Sequence, residues 1–189
     1  VANREDVNKA FSELPSDKRV LLKLSFLKNK MEIEVLEALK ELHRPNVAVE
    51  LLTHIFRPED RLPEELCDVP NLEALQYSTW LLPQGLHKMK WLKRLEMSKV
   101  EVVDEGVCEL EALEELTVDN SGLESLPGGL PKLKNLRVFH YSSTAKRSPY
   151  DGMGVVFRMV TLTELQLSDC NVGPLAGIGQ LTQLKHLAL

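Results

Sequence analysis

The stretch YDGMGVV at residues 150–156 places two glycines around one residue, as the start of a phosphate-binding loop can. Such a loop must finish in Gly-Lys-Ser/Thr, because the lysine and the hydroxyl hold the phosphates and their magnesium ion. Here Val155 and Val156 lead to Phe157 and Arg158 instead. We therefore expect a flexible loop at this stretch and no phosphate site, and we predict no cofactor for the chain.

The histidines and cysteines do not have the spacing of metal ligands. None of the five histidines has another histidine four residues away, and no C-x-x-C pair joins Cys67, Cys108 and Cys170. We therefore expect neither a metal site nor a disulfide framework. Unpaired cysteines and the lack of any N-x-S/T glycosylation sequence favour a reducing, cytoplasmic location.

A serine nucleophile would need a base beside it. Ser142 has His140 close by in sequence, and both fall on one face of a predicted strand. Equivalent small polar residues recur at Ser78, Ser98 and Ser168. A column of small polar side chains at the outer ends of strands explains this pattern better than catalysis does, so we predict that the chain is not an enzyme.

These side chains are positioned by a leucine repeat. The pattern L-P-x-x-L-x-x-(L/V/M)-x-x-L-x-x-(L/F) occurs at residues 62–75, 82–95 and 126–139. Its fourth apolar position, taken as an anchor, continues through the chain at separations of 20, 21, 23, 26 and 22 residues, giving Leu72, Leu92, Leu113, Leu136, Leu162 and Leu184. Residues three and six before each anchor, and three and five after it, are all apolar.

This pattern resembles the leucine-rich repeat, which has 20–29 residues per coil. One coil cannot bury its leucines alone, whereas stacked coils bury a continuous core. We therefore predict an α/β solenoid with a parallel sheet on a concave face and an irregular or helical convex side. In the third coil the strand is expected at LEELTV, residues 113–118.

The concave face is formed by the outward residues two and four positions after the anchors. It is the predicted partner-binding surface, because these side chains can vary without disturbing the core. Val138 and His140 are the expected centre, since patch centres carry less charge than their rims. Parallel stacking should also place Arg94 beside Glu115. The candidate residues on four successive strands are Arg94, Glu96, Glu115, Thr117, Val138, His140, Glu164 and Gln166.

The first third carries four motifs in a particular order: ANREDVNKAF, KRVLLKLSF, EVLEALKELHRPNV and RLPEEL. This order resembles the repeat region of plant intracellular disease-resistance proteins of the coiled-coil, nucleotide-binding, leucine-rich-repeat class. Helical spacing of the apolar residues in EVLEALKEL predicts an amphipathic helix over Glu34–Leu42. The resemblance implies a helix and a strand before it and a turn after it. It also implies a module that senses pathogen effectors or modified host proteins. In the longer parent protein, this module would restrain the attached nucleotide-binding domain.

Composition limits the other possibilities. A net charge of −5 argues against a nucleic-acid partner, and no apolar run is long enough to span a membrane. We expect one repeat domain over 1–189, irregular over 1–66, more regular over 67–189 and truncated at both ends. Two alternatives remain: the substrate-binding repeats of a ubiquitin ligase, whose period is usually a strict 20 residues, and a general intracellular scaffold.

Overall fold

The computed structural model describes residues 4–26, 33–41, 45–54, 62–78, 82–123, 125–143, 153–170 and 174–189. Within these ranges, strands alternate with short helices or with 3-10 turns. The helices and strands are α1 (Arg4–Ser12), β1 (Val20–Phe26), α2 (Ile33–Lys40), β2 (Val47–His54), β3 (Leu72–Ser78), β4 (Arg94–Ser98), β5 (Glu115–Ser121), β6 (Val138–Ser143), α3 (Met153–Val156), β7 (Glu164–Ser168) and β8 (His186–Ala188). The 3-10 turns are Glu64–Asp68, Leu86–Lys88, Glu105–Glu109, Leu130–Lys132 and Ile178–Gln180.

The described strands form a single eight-stranded parallel sheet, and their spatial order is their order in the chain. Each strand pairs with the next, from β1–β2 to β7–β8. Parallel neighbours require a crossover connection. The described crossovers contain the helices and 3-10 turns, so the chain coils with its sheet on one side and these elements on the other.

The core is formed by the leucine anchors and by the apolar residues around them. The anchors from Leu72 to Leu162 are at most 1% exposed, and the residues three and five after each of these anchors are also buried. Leu116, for example, is 1% exposed between its register partners Leu95 and Phe139. Each fully buried leucine side chain contributes roughly 1.5–3 kcal/mol relative to exposure, and the stack supplies that burial.

The first coils also match the predicted order of elements. Helix α1 packs on α2 and buries Val7 and Phe11. In α2 the apolar stripe that includes Leu36 and Leu39 is buried while Glu37 is exposed, which confirms the amphipathic helix. Leu42, predicted at its end, lies outside the described residues.

A β-bulge explains why the spacing is irregular before Leu72. Val49 pairs with Leu72, so it is the anchor of β2, but Glu50 then pairs with Ala74. The extra residue in β3 is Glu73, and the shift places Thr53 opposite Tyr77 on the inward side. Thr53 is accordingly only 4% exposed. A bulge of this kind changes the count of residues between inward positions without changing which face is buried.

On the convex side, two carboxylates connect successive coils. Glu64 begins one 3-10 turn, and its Oε2 accepts a hydrogen bond of 2.8 Å from the backbone N–H of Gly85 in the next coil. Glu105 begins another 3-10 turn, and its Oε2 accepts one of 3.2 Å from the N–H of Gly129. The glycines allow the close approach, because a Cβ on Gly85 would lie 3.2 Å from the Cys67 sulfur.

Two local expectations are wrong. Strand β5 begins at Glu115 rather than Leu113. The stretch predicted to be a flexible loop contains helix α3, because Val156 fills the convex core position six residues before Leu162 and is fully buried. The rest of that stretch, 150–152, lies outside the described residues. Leu187, predicted to face inward, pairs in register with the buried Leu165, yet Leu187 and Leu189 are 46% and 58% exposed because β8 is the last described strand of the sheet.

Candidate functional site: the concave face

The eight candidate residues form two rows across β4 to β7. In the first row, Arg94 pairs in register with Glu115, Glu115 with Val138, and Val138 with Glu164. In the second row, the order is Glu96, Thr117, His140 and Gln166. Side chains alternate between the two faces of a strand. The leucine and aromatic residues between the rows point into the core, so both rows are held on the outer surface of the sheet.

Exposure differs within the rows. Arg94, Glu96, Glu115 and Gln166 are exposed, whereas the other four residues are half-buried. Val138, expected to be exposed, is therefore partly covered. It stands between the two carboxylates of Glu115 and Glu164, which are longer side chains.

Arg94 does not pair with Glu115 as its ion partner, although the two residues are opposite each other in the register. Its Nη2 forms an ion pair with Oε1 of Glu50, two strands away. Ala74 lies between them, and its short side chain leaves the path open. Glu50 also forms an ion pair with Lys23, whose Nζ is 2.9 Å from Oε2 of Glu50. The Glu50 side chain is only 15% exposed, so its charge interactions are less screened by water than those of Glu115.

Beside this ion triad lies a cavity of about 350 Å³, which we call the Ala74 hollow. Ala74 and Leu52 give it an apolar part, and its polar lining includes Gln76, Glu96 and Glu115 together with the three residues of the ion triad. The Nε2 of Gln76 donates a 2.7 Å hydrogen bond to Oε1 of Glu96. Among the described residues, neither Glu96 nor Glu115 forms an ion pair with a cation.

The other end of the face centres on His140. Its Nε2 lies 2.9 Å from Oε1 of Glu164. Ser142 Oγ donates to Oδ1 of Asp119, so the Ser142 hydroxyl and the His140 Nε2 are directed at different carboxylates. These contacts favour the interpretation of the serine column as structural. A second hollow of about 290 Å³ lies here, lined in part by Asp119, His140 and Gln166.

The cysteines of the described residues are free thiols. Burial, reinforced by the nearby Glu64 and Asp68, raises the pKa of Cys67 to about 12. Burial and Glu105 raise the pKa of Cys108 to about 12 in the same way. A thiol with so high a pKa is a poor nucleophile and a poor metal ligand at neutral pH.

The described ranges contain neither a candidate metal centre nor a membrane-spanning helix. No group of three or more His, Cys, Asp or Glu side chains is arranged to hold a metal ion there. Nor does any helix in those ranges have the length and apolar character needed to cross a bilayer.

Sequence spacing did not identify the first half of the concave face. Lys23, Glu50, Ala74 and Gln76 continue the two rows through β1, β2 and β3. The rule of two and four residues after an anchor would have found Ala74 and Gln76 from Leu72. It could not have found Glu50, because the bulge at Glu73 moves that residue to one position after Val49.

No protein-family model matches the chain, and no curated protein matches it in sequence. Solved structures do. A leucine-rich-repeat protein of Leptospira interrogans superimposes with a TM-score of 0.67 at 19% identity, covering 96% of this chain and 53% of that one. An internalin of Listeria monocytogenes gives a TM-score of 0.53 at 17% identity, covering 97% of this chain and 67% of the internalin.

A plant receptor is similar as well. The leucine-rich-repeat ectodomain of the Arabidopsis thaliana membrane receptor kinase GASSHO1/SCHENGEN3, in complex with Casparian strip integrity factor 2, gives a TM-score of 0.54 at 17% identity. That match covers 94% of this chain and 22% of the receptor chain. This chain thus spans only part of the length of each of these proteins. The leucine spacing, the single parallel sheet and these neighbours show that the chain folds as a leucine-rich-repeat solenoid.

Proposed function

We propose that this chain is a protein-recognition module whose concave face binds a segment of another protein. The observation that carries the proposal is the two-row surface across β4 to β7. Its side chains point away from the core, they include charged, polar and half-buried apolar groups, and two hollows indent it. The Arabidopsis ectodomain, which has the same fold, is in complex with a named factor, and this adds support for recognition by such a solenoid.

The chemistry of the face supports binding rather than catalysis. His140 and Ser142 have separate carboxylate partners, and the buried thiols have raised pKa values. We propose accordingly that the chain is not an enzyme and needs no cofactor. Complementary shape and charge on a rigid sheet are sufficient for recognition, because the residues that contact a partner need only be held in place.

A selection of displayed random peptides against the immobilised chain tests the proposal. Val138→Arg places a long cation between Glu115 and Glu164, which can accommodate its charge while the side chain obstructs the face. We expect selected peptides to lose at least about tenfold in affinity for this variant, equivalent to roughly 1.4 kcal/mol.

Gln84→Arg is the matched control, since it adds the same charge at an exposed position before the 3-10 turn Leu86–Lys88 on the convex side. We expect it to leave binding unchanged. Peptides that bind Val138→Arg as tightly as the unmodified chain, but lose affinity for Gln84→Arg, would place recognition on the convex side and contradict the proposal.

We further propose that the parent protein is a plant intracellular immune receptor, in which this region senses pathogen effectors or modified host proteins and restrains the attached nucleotide-binding domain. The order α1, β1, α2 and then the 3-10 turn Glu64–Asp68 agrees with the succession of elements that the motifs imply, with β2 added before the turn. The parent would then act in the cytoplasm. Sequencing the parent gene tests this: an upstream nucleotide-binding domain supports it, whereas a downstream catalytic-cysteine domain supports the ubiquitin-ligase alternative.

A further inference from the structure

The concave face has an uneven distribution of partnered charges. In the first row, the cations Lys23 and Arg94 both form ion pairs with Glu50. Glu50 is half-buried, whereas the carboxylates of Glu96 and Glu115 are exposed. Glu115 directly opposes Arg94 in the register and would have been its nearest partner. Arg94 extends over Ala74 toward Glu50, and it therefore does not form the ion pair with Glu115 that the register suggests.

Two carboxylates on neighbouring strands therefore lack a cation among the described residues. Glu96 has a hydrogen bond from the neutral amide of Gln76, and Glu115 is exposed. They are diagonal neighbours, since Glu96 pairs with Thr117, which is two residues after Glu115 on β5. Diagonal neighbours on adjacent strands have Cα atoms about 7–8 Å apart, so one long side chain can interact with both.

The Ala74 hollow adjoins this carboxylate pair. Glu96 and Glu115 both line it, together with the apolar side chains of Leu52 and Ala74. Lys23 and Arg94 line it too, but both form ion pairs with Glu50. Glu96 and Glu115 are therefore the carboxylates of the lining that lack a cation among the described residues. A space with apolar walls and two such carboxylates suits a side chain that has an aliphatic stem and a cationic end. Arginine and lysine have this construction, and they commonly bury the stem while the charged group reaches polar partners.

Resting on the proposed function, we propose that the segment bound by the concave face is basic, and that one of its arginine or lysine side chains enters the Ala74 hollow and pairs with Glu96 and Glu115. The chain's net charge of −5 favours approach of such a partner. A cation also relieves the repulsion between the two carboxylates, whereas an acidic or wholly apolar segment would leave it in place.

The same displayed random-peptide selection tests this inference, with three further variants. Glu96→Gln and Glu115→Gln are combined, because both positions are exposed and neither contributes to the core. Glu65→Gln is the matched control, an exposed glutamate in the convex turn Glu64–Asp68. Thr117→Trp obstructs the face beside the hollow without changing charge.

We expect the selected peptides to be enriched in arginine and lysine. Their affinity should fall about five- to thirtyfold for the double variant, as two exposed charge pairs of roughly 0.5–1 kcal/mol each would give, and it should be unchanged for Glu65→Gln. Added salt should weaken binding to the unmodified chain more than binding to the double variant.

Peptides that bind through the concave face, as shown by loss with Thr117→Trp and Val138→Arg, but carry no basic enrichment and bind the double variant equally well, would overturn this inference and leave the proposed function standing. Peptides that bind the Thr117→Trp and Val138→Arg variants as tightly as the unmodified chain would overturn both this inference and the proposed function.

Discussion

Gly129 lies where the backbone of one coil meets a carboxylate and a thiol of the preceding coil. Its N–H binds Glu105, and a Cβ at this position would lie 3.0 Å from the Cys108 sulfur and also against the Glu105 carboxylate. Its φ of −81° is open to any residue, so the requirement for glycine is steric and not conformational. Gly128, next to it, is exposed, and a Cβ there would have its nearest contact at 3.7 Å.

We predict that Gly129→Ala lowers the free energy of unfolding by about 1–3 kcal/mol, the usual cost of overpacking. Gly128→Ala should be neutral or stabilising by up to about 1 kcal/mol, because it restricts only the unfolded chain. Urea denaturation of the two variants measures the difference. Equal destabilisation by both would show that the contact with Glu105 and Cys108 does not constrain the coil.

The buried thiols predict how stability changes at alkaline pH. In the unfolded chain a cysteine ionises near its ordinary pKa of 9.0, whereas Cys67 and Cys108 in the fold remain protonated until about pH 12. The folded state therefore binds more protons than the unfolded state between these values, and its stability falls as pH rises from about 9 toward 12. Below pH 9 the contribution is fully present.

Urea midpoints measured under reducing conditions, from pH 8 to pH 11, test this dependence. The variant Cys67→Ala/Cys108→Ala removes both thiols and should show a shallower decline than the unmodified chain, although its midpoint at pH 8 is lower. A decline of identical slope in the two proteins would mean that other groups account for it.

At the scale of the element, each strand is divided between core and surface by side-chain alternation. In β5, Leu116 is 1% exposed and its neighbour Thr117 is half-buried on the concave face. Leu116→Ala should lower the free energy of unfolding by about 2–5 kcal/mol, since it removes buried methyl groups and leaves a cavity.

Thr117→Ala is the control on the same strand, and we expect it to cost under about 0.5 kcal/mol. Thermal or urea unfolding of both variants measures the contrast. Similar losses at the two positions would mean that the assignment of inward and outward residues in β5 is incorrect.

The sequence predicted elements best where the leucine spacing is regular. From Leu72 to Leu162 the anchors locate the inward positions of each strand, because burial in a parallel stack requires apolar residues at fixed intervals. The spacing could not locate Glu50 or the Arg94–Glu50 pair. The position of Glu50 depends on the bulge at Glu73. The Arg94–Glu50 pair depends on which acidic neighbour of Arg94, Glu50 or Glu115, is more buried. Burial arises from the packed structure and is not visible in residue order.

The candidate site was predicted unevenly for the same reason. The two rows across β4 to β7 follow from the anchors, and the register confirms that they lie side by side. Helix α3 was missed because the sequence around Gly154 suggested a turn, while Val156 is required by the core. Whether these rows bind a partner stays a prediction.

At the scale of the whole molecule, stability should vary along the solenoid. Coils in the middle are covered on both sides, whereas Leu187 in β8 is 46% exposed and the inward-facing Leu22 and Leu24 of β1 are only half-buried. In a stack where each coil contacts only its neighbours, the outer coils open at lower free energy than the inner ones.

Hydrogen exchange followed by mass spectrometry tests this gradient. We expect the backbone amides of β4, β5 and β6 to exchange most slowly and those of β8 to exchange fastest. Uniform protection from β1 to β8 would indicate that the solenoid unfolds in one cooperative step.

The carboxylate contacts between coils have a consequence for how such a protein can lengthen. Glu64 with Cys67 lies in one coil and Glu105 with Cys108 lies in the coil after next, while Gly85 and Gly129 receive their carboxylates in the coil that follows each. Here the contacts therefore recur every two coils. Duplication of a single glycine coil would leave both existing contacts in place and add an interface that has no such contact. Insertion of a carboxylate coil together with its glycine coil would add one further contact, so a pair of coils is the unit that extends this series.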